Sequence, residues 1–501
     1  MHEIALTCLP ELPLAALMRW QMLPLRAASG ALRLARVEPP DGVLVAWLDA
    51  RLGEPWQWQP CADDWLQEQL AVASDTYRAL SEVPSAAVPA GIAEARITLN
   101  SLAVEDNPVV RLVDSTLHDA VADGASDIHI EACPNGLSIK FRIDGSLLEV
   151  GGVNEVGGRA LAEQVVSRIK VLADLDIAET RVPQDGRFKV SLDGQGEQPI
   201  DFRVSVMPSL HGEDVVLRIL DKRRLAAGDG RLSLAALGFP EVQAGELRRL
   251  AGRPHGMLLL TGPTGSGKTT SLYALLIETA QAGEKTITIE DPVEYQLPGV
   301  LQVPVNERKG LNFARGLRSI LRHDPDRIMV GEIRDPETAE IAVQAALTGH
   351  LVLSSVHANG VFEVIQRFTH MGIDLYALSA SLIGIVAQRL LRLNCPHCLG
   401  PADAGERLVE RLALSADERQ RLRRGQGCPA CRGSGTRGRL AVAQHLVLDD
   451  ELREAIIGRM PIRQLKRLAA DRGVTDWSAG LRPRLLSGEI SPEEAARALA
   501  D

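Results

Sequence analysis

Apolar positions fall into two regimes that meet near Leu232. In the first, Val110, Val113, Leu117 and Val121 recur at helical spacing behind Asn107-Pro108, a capping residue followed by a proline in the first helical position, and the pattern stops at Gly124. This predicts one amphipathic helix. The dipeptides Asn135-Gly136 and Asp144-Gly145 then separate apolar-rich runs at 127–131, 137–143 and 146–150, which predicts hairpins in an antiparallel sheet. A helical stretch over 155–172 and strand-like runs at 200–206 and 214–220 complete an α+β unit expected to span 96–230. From about 231 to 393, strands alternate with helices, the pattern of a mostly parallel sheet covered on both faces. Predicted strands there include 257–261, 287–290, 327–330 and 351–356, with a helix over 270–280.

The flanking regions read differently. Residues 1–95 hold apolar segments broken by prolines and five of the six tryptophans, Trp20, Trp47, Trp56, Trp58 and Trp65, which mark either a small core or a partner-binding face. The Pro- and Ala-rich stretch 84–91 reads as the linker that closes this domain. A cysteine-bearing module is expected over 394–445 and a charged helical region over 446–501.

Length and composition set limits on this organisation. A chain of 501 residues exceeds one hydrophobic core. With 45% apolar and 24% charged residues it matches ordinary globular chains rather than disordered or membrane-embedded ones. Residues 1–20 carry Glu3, Glu11 and Arg19 and do not read as a signal peptide, and no apolar run is long enough for a bilayer. The cytoplasm is the expected compartment, with any membrane role peripheral. A net charge of −10 is a poor field for gripping phosphate backbones, so no nucleic-acid partner is expected; the arginines of 421–424 and 432–439 read as solvated surface.

The chemistry concentrates after the strand at 257–261. Gly262-Pro263-Thr264-Gly265-Ser266-Gly267-Lys268-Thr269 fits G-x-x-x-x-G-K-[ST], and Thr270 opens the following helix. Strand, glycine-rich loop and helix N-terminus together form a cradle of N–H groups for the phosphates of ATP. Lys268 is placed to reach the β and γ phosphates, and the Thr269 hydroxyl to ligate Mg²⁺. A second strand ends in Gly331-Glu332, whose carboxylate is expected at the Mg²⁺ shell or on the attacking water. Between them, Glu290-Asp291-Pro292-Val293-Glu294 ends a strand in three carboxylates, at the edge where parallel sheets bind ligands. A fourth strand delivers His357 to that edge, as a γ-phosphate sensor or as a satisfied loop residue.

Cys395-Pro396-His397-Cys398 and Cys428-Pro429-Ala430-Cys431 form two C-x-x-C pairs. Four thiolates from two such turns suit a closed tetrahedral Zn²⁺ site, hence a structural one; two redox pairs are the alternative. Cys8, Cys61 and Cys133 read as unpaired packing residues.

Taken in order, these motifs resemble the secretion ATPase superfamily that drives type II secretion and type IV pilus assembly, from about Asn107 onward. Gly124-Ala125-Ser126-Asp127-Ile128-His129-Ile130-Glu131 and Arg181-Val182-Pro183-Gln184-Asp185-Gly186-Arg187 match the family's opening motifs. The stretches 290–294, 330–335 and 349–359 resemble its Asp box, atypical Walker B and His box. The resemblance implies an α/β protein, a RecA-like P-loop ATPase core behind an α+β, PAS-like subdomain. It also implies Glu332 as catalytic glutamate, with Glu290 and Glu294 assisting metal and water, and His357 as the His-box histidine. Arg203 and Arg218 match arginines that the family brings to the phosphates, within a subunit or across a boundary. A homo-hexamer is implied as well, driving pseudopilus assembly for type II secretion. The implied partners are the cytoplasmic domain of an inner-membrane secretion protein, docked on residues 1–95, and an inner-membrane platform protein. A type IV pilus assembly motor is the alternative. Two departures stand out: Gly360 occupies a position that is commonly acidic, and Leu440-Ala441-Val442-Ala443-Gln444-His445 lacks the usual aromatic and glutamate.

Overall fold

The computed structural model describes residues 5–6, 12, 14–26, 31–52, 55–76, 96–97, 107–154, 158–192, 199–221, 232–472, 474 and 477–500. The expected linker 84–91, Cys8 and the expected unit end at Gly230 lie outside them. The chain forms two compact units, Met1–Asp221 and Lys222–Asp501. Among the described residues no helix is long and apolar enough to cross a membrane.

In the first unit, strands Ala5–Leu6, Leu23–Arg26, Leu32–Arg36 and Trp56–Pro60 form one sheet in that order, the last pair parallel. Its core comprises Leu23, Leu32, Leu34, Leu44, Leu48, Leu66 and Leu70. Trp20, Trp47 and Trp56 pack against this core, whereas Trp58 and Trp65 are exposed.

The second sheet of this unit runs Arg96–Ile97, Gln184–Leu192, Ile200–Ser209, Gly212–Leu220, Asp127–Cys133, Gly136–Ile143 and Ser146–Asn154. Helices Pro108–Ala122 and Gly158–Leu172 cover one face, burying Val113, Leu117, Val165 and Ile169 against Ile128, Phe141, Phe202 and Leu217. The Asn107 side chain accepts from the N–H groups of Val109 and Val110, so the first helix starts where its cap and proline place it. Asp144 and Gly145 both take positive φ, 49° and 82°, the geometry a two-residue hairpin turn needs. Strand Gln184–Leu192 was not anticipated. Only Phe188 and Val190 of its central residues are buried, with Arg187 and Lys189 exposed between them. The face opposite the helices carries arginines in one row: Arg187, Arg203 and Arg218 are successive cross-strand neighbours.

The second unit is built on a seven-stranded sheet ordered Val300–Pro304, Thr286–Glu290, Arg327–Val330, Leu351–Val356, Gly256–Thr261, Leu382–Asn394 and Thr436–Val447. All neighbours are parallel except the last pair. Strand Gly256–Thr261 is buried throughout and alternates between two cores. Met257 and Leu259 face helices that include Pro336–Leu347 and Val361–His370; Leu258 and Leu260 face Glu241–Ala251 and Lys268–Glu278. Both faces are therefore covered, which explains the near-continuous apolar reading of the central strands.

The cysteine module is an excursion between two paired strands. Asn394 and Thr436 are register partners, and residues 436–445, expected within the module, lie in the sheet. Gln243 donates to the Ala443 carbonyl at 2.9 Å, and His445 pairs with Glu246 at 2.5 Å. These contacts seat the divergent 440–445 stretch on helix Glu241–Ala251. The C-terminal helices split between neighbours. Asp450–Ile457 and Ile462–Asp471 join the main core, while Trp477–Leu486 and Pro492–Leu499 enclose Leu408, Leu412 and Leu422 of the module.

Candidate nucleotide-binding site

The phosphate loop leaves the sheet at Thr261 through three glycines with positive φ: Gly262 at 144°, Gly265 at 77° and Gly267 at 82°. Gly262 is also needed for space, since a Cβ there would lie 2.2 Å from the Gln388 carbonyl oxygen. Helix Lys268–Glu278 begins directly after Gly267, so Lys268, Thr269 and Thr270 form its first turn, whose N–H groups have no partner within the helix. Pro263, Thr264 and Gly265 are exposed and Ser266 is buried. The Lys268 ammonium donates to the carbonyls of Gly262 at 2.8 Å and Pro263 at 3.1 Å. Burial holds its pKa below the ordinary lysine value, opposed by the charge of Glu332.

Glu332 follows strand Arg327–Val330 and is nearly buried, with 13% of its side chain exposed. One oxygen pairs with Arg334 and the other lies 3.3 Å from His357 Nε2. His357 is held below the usual imidazole value by desolvation first and then by Lys268, with Glu332 opposing. Lys268, Glu332 and His357 therefore meet at the carboxyl ends of adjacent strands. Cross-links fix them: the Thr261 hydroxyl donates to the Ala358 carbonyl at 2.7 Å and accepts from the Ala358 N–H at 3.0 Å. Ser355 donates to the Gly331 carbonyl at 2.7 Å.

Glu290 ends strand Thr286–Glu290 with its carboxylate enclosed by protein donors. At 2% exposure it accepts from Thr288 at 2.5 Å, Gln302 at 3.0 Å and the Tyr273 hydroxyl. Three protein donors hold the carboxylate, and through Tyr273 it anchors helix Lys268–Glu278. Tyr273 also accepts from the Glu294 N–H at 3.3 Å, and burial followed by Glu290 pushes its phenol well above the usual range. Glu294 is half-buried and Asp291 exposed. Arg203 and Arg218 belong to the other unit, directly opposite each other; Arg218 bonds Asp127 at 2.9 Å. Gly360 takes extended backbone, with φ at −161°, and a Cβ there would meet only the movable carboxylate of Glu363, so nothing in its surroundings requires glycine.

Sequence reasoning missed three residues of this site. Arg334 carried no motif weight of its own although it stands two residues after Glu332. Tyr273 read as an ordinary apolar helix position. Gln388 was hidden in a strand of mostly apolar and basic residues.

The four module cysteines converge, with their sulfur atoms within 4.8 Å of one another. Sulfur pairs Cys395–Cys428, Cys398–Cys431 and Cys428–Cys431 are 3.8, 3.7 and 3.7 Å apart. A tetrahedral ion with Zn–S bonds of about 2.3 Å has sulfur–sulfur edges of about 3.8 Å, so the donor set fits zinc. Burial raises the Cys395 thiol to about 11. At Cys431 burial acts the same way, but N–H groups of Cys428 and Gly435, each 3.2 Å from the sulfur, outweigh it and bring the thiol to about 6. His397 is exposed and outside the cluster, and Cys61 and Cys133 are half-buried and free.

The family profile described as "Type II/IV secretion system protein" matches residues 103–497. The chain belongs to that family. Type II secretion system protein E of Dickeya dadantii is 46% identical over 393 residues, covering 78% of this chain and 76% of that protein. Type II secretion system ATPase E of Vibrio cholerae is 48% identical over 352 residues, covering 70% and 68%. Among solved structures, the Legionella pneumophila ATPase DotB aligns with a TM-score of 0.56 at 21% identity, over 77% of this chain and 95% of DotB. The pilus retraction motor PilT with bound ADP aligns with a TM-score of 0.51 at 26% identity, over 77% and 96%. The sheet of the second unit is thus the RecA-like P-loop core shared with these ATPases.

Proposed function

We propose that this family member is the ATP-hydrolysing motor of a type II secretion system, acting on the cytoplasmic side of the inner membrane to drive pseudopilus assembly. The observation that carries the reading is the meeting of Lys268, Glu332 and His357 at the mouth of the glycine loop. In turnover, Lys268 exchanges the Gly262 and Pro263 carbonyls for phosphate oxygens, and the Thr269 hydroxyl would hold Mg²⁺. Bound there, the metal would supply charge neutralisation to the phosphates. Glu332 orients the attacking water, with one carboxylate oxygen fixed by His357 and the other by Arg334. Arg203 and Arg218 add positive charge as the γ phosphate departs, within a subunit or across a hexamer boundary. Zn²⁺ on Cys395, Cys398, Cys428 and Cys431 serves structure alone, since four thiolates leave no open position.

Residues 1–95 are the docking region for the cytoplasmic domain of an inner-membrane secretion protein, and the hexamer works against an inner-membrane platform protein. Exposed Trp58 and Trp65 support that assignment of the first sheet. The test is hydrolysis by the purified full chain. Lys268→Ala and Glu332→Gln are expected to lower kcat/KM by roughly a hundredfold or more, the range for removing a charge clamp or a catalytic base. Parental rates in either variant would refute the site. Deleting residues 1–95 is expected to abolish recovery with membranes while hydrolysis persists; unchanged recovery would refute the docking role.

A further inference from the structure

Strand Leu382–Asn394 overshoots its parallel neighbour Gly256–Thr261. The register ends at Thr261–Ala387, so the next residue, Gln388, lies beside the phosphate loop rather than beside a strand. Gln388 is 1% exposed, and its side-chain Nε2 donates to the Ser266 carbonyl at 2.7 Å. Its Oε1 is buried without a hydrogen-bond partner among the described residues, as is the Ser266 hydroxyl. What the protein itself fixes is the amide's donor, set against the loop carbonyl.

The use of that donor follows from the planarity of the peptide bond. The carbonyl of Ser266 and the N–H of Gly267 share one plane and point in opposite directions. A glycine loop cradles phosphates only if its N–H groups point inward, which turns the intervening carbonyls outward into protein. An outward carbonyl without a donor costs desolvation energy and favours rotation of the whole plane. Gly267, with φ at 82° and no Cβ, offers little resistance to such a rotation.

We propose that Gln388 is the positioning residue of the phosphate loop: by binding the Ser266 carbonyl it aims the Gly267 N–H at the phosphates of a nucleoside di- or triphosphate. The strand that carries it is fixed on its other side. Arg389 stacks its guanidinium 4.8 Å over Trp477 and donates to the Ala498 carbonyl, and Arg392 bonds Glu494 at 2.9 and 3.0 Å. Asn394 donates to the carbonyls of Arg423 and Gly488 at 3.1 and 2.9 Å. The module and C-terminal helices thus hold the rail from which Gln388 reaches the loop.

This inference rests on the nucleotide reading of the loop, and the experiment separates the two. Full-length Gln388→Met, which keeps length and removes the donor, and Gln388→Glu, which puts an acceptor against the Ser266 carbonyl, are compared with the parent. Measurements are fluorescent-ADP titration, steady-state ATP hydrolysis and thermal unfolding. The expected result for Gln388→Met is a nucleotide Kd and a KM raised roughly tenfold, the factor for a buried carbonyl losing a donor, with kcat within about twofold. Gln388→Glu is expected to bind at least as weakly. If the parent binds no nucleotide, the site reading itself fails. If the parent binds and Gln388→Met keeps parental Kd and KM, or loses kcat while KM is unchanged, the positioning role is overturned. Should Gln388→Met unfold, parental KM in folded Gln388→Leu, which has no donor in any protonation state, overturns it equally.

Discussion

Replacing Tyr273 with phenylalanine removes one oxygen from a site where the arithmetic is well defined. The ring is fully buried and sits edge-on to Tyr295, centroids 6.1 Å apart, so Tyr273→Phe keeps the packing. What it deletes is the donor to Glu290 and the acceptor for the Glu294 N–H. Glu290 keeps Thr288 and Gln302 but loses a third of its donors while 2% exposed, where water does not replace them. A hydrogen bond to a buried charge contributes about 2–3 kcal/mol. The loss falls on the contact between helix Lys268–Glu278 and strand Thr286–Glu290, so it appears as easier local opening. Native-state hydrogen exchange reads this directly. Amides of that helix are expected to exchange roughly 30- to 150-fold faster, with Tyr376→Phe, at a 69% exposed tyrosine, as an unaffected control. Exchange within about threefold of the parent, under 1 kcal/mol, would refute the reasoning and return Glu290 to solvent or metal.

Other outcomes follow from the same geometry. Cys398→Ser is expected to reduce bound zinc from about one ion per chain to a small fraction and to expose the module to protease, as metal analysis and limited digestion would read; full zinc retention refutes the four-thiolate site. Because desolvation and Lys268 depress the His357 pKa, the ring is neutral at pH 7, and the acid limb of kcat against pH attributable to it is expected below about 6.5. A limb above that value, lost in His357→Asn, contradicts the depression. The sign for stability agrees: a depressed histidine binds fewer protons folded than unfolded, so this group withdraws stability as pH falls below the ordinary imidazole value.

What the sequence disclosed was whatever depends on neighbours in the chain. Asn107-Pro108, Asp144-Gly145 and the glycine loop each specify backbone geometry within a few residues, and each is found where it was read. Strand Gln184–Leu192 escaped because Arg187 and Lys189 face outward and only Phe188 and Val190 mark its buried side; its partners are set by tertiary pairing. The same holds within the site. Glu332 and His357 were legible because each ends a strand of a parallel sheet. Glu290 was legible as a motif member but not in orientation, because Tyr273 and Gln302 reach it from other elements. Gln388 takes its meaning from a loop 122 residues earlier.

The antiparallel pairing of Asn394 with Thr436 has a consequence for how the chain folds. The edge strand Thr436–Val447 can join the sheet only after the intervening excursion has been closed, and that closure carries an entropic cost that rises with loop length, by about 0.6 kcal/mol per doubling. An ion held by Cys395 and Cys398 together with Cys428 and Cys431 would bring the two ends together in advance. It converts a long-range pairing into a nearly local one, a change that in other proteins accompanies faster folding. Metal bound during synthesis would then speed this strand's pairing, quite apart from how stable the finished protein is.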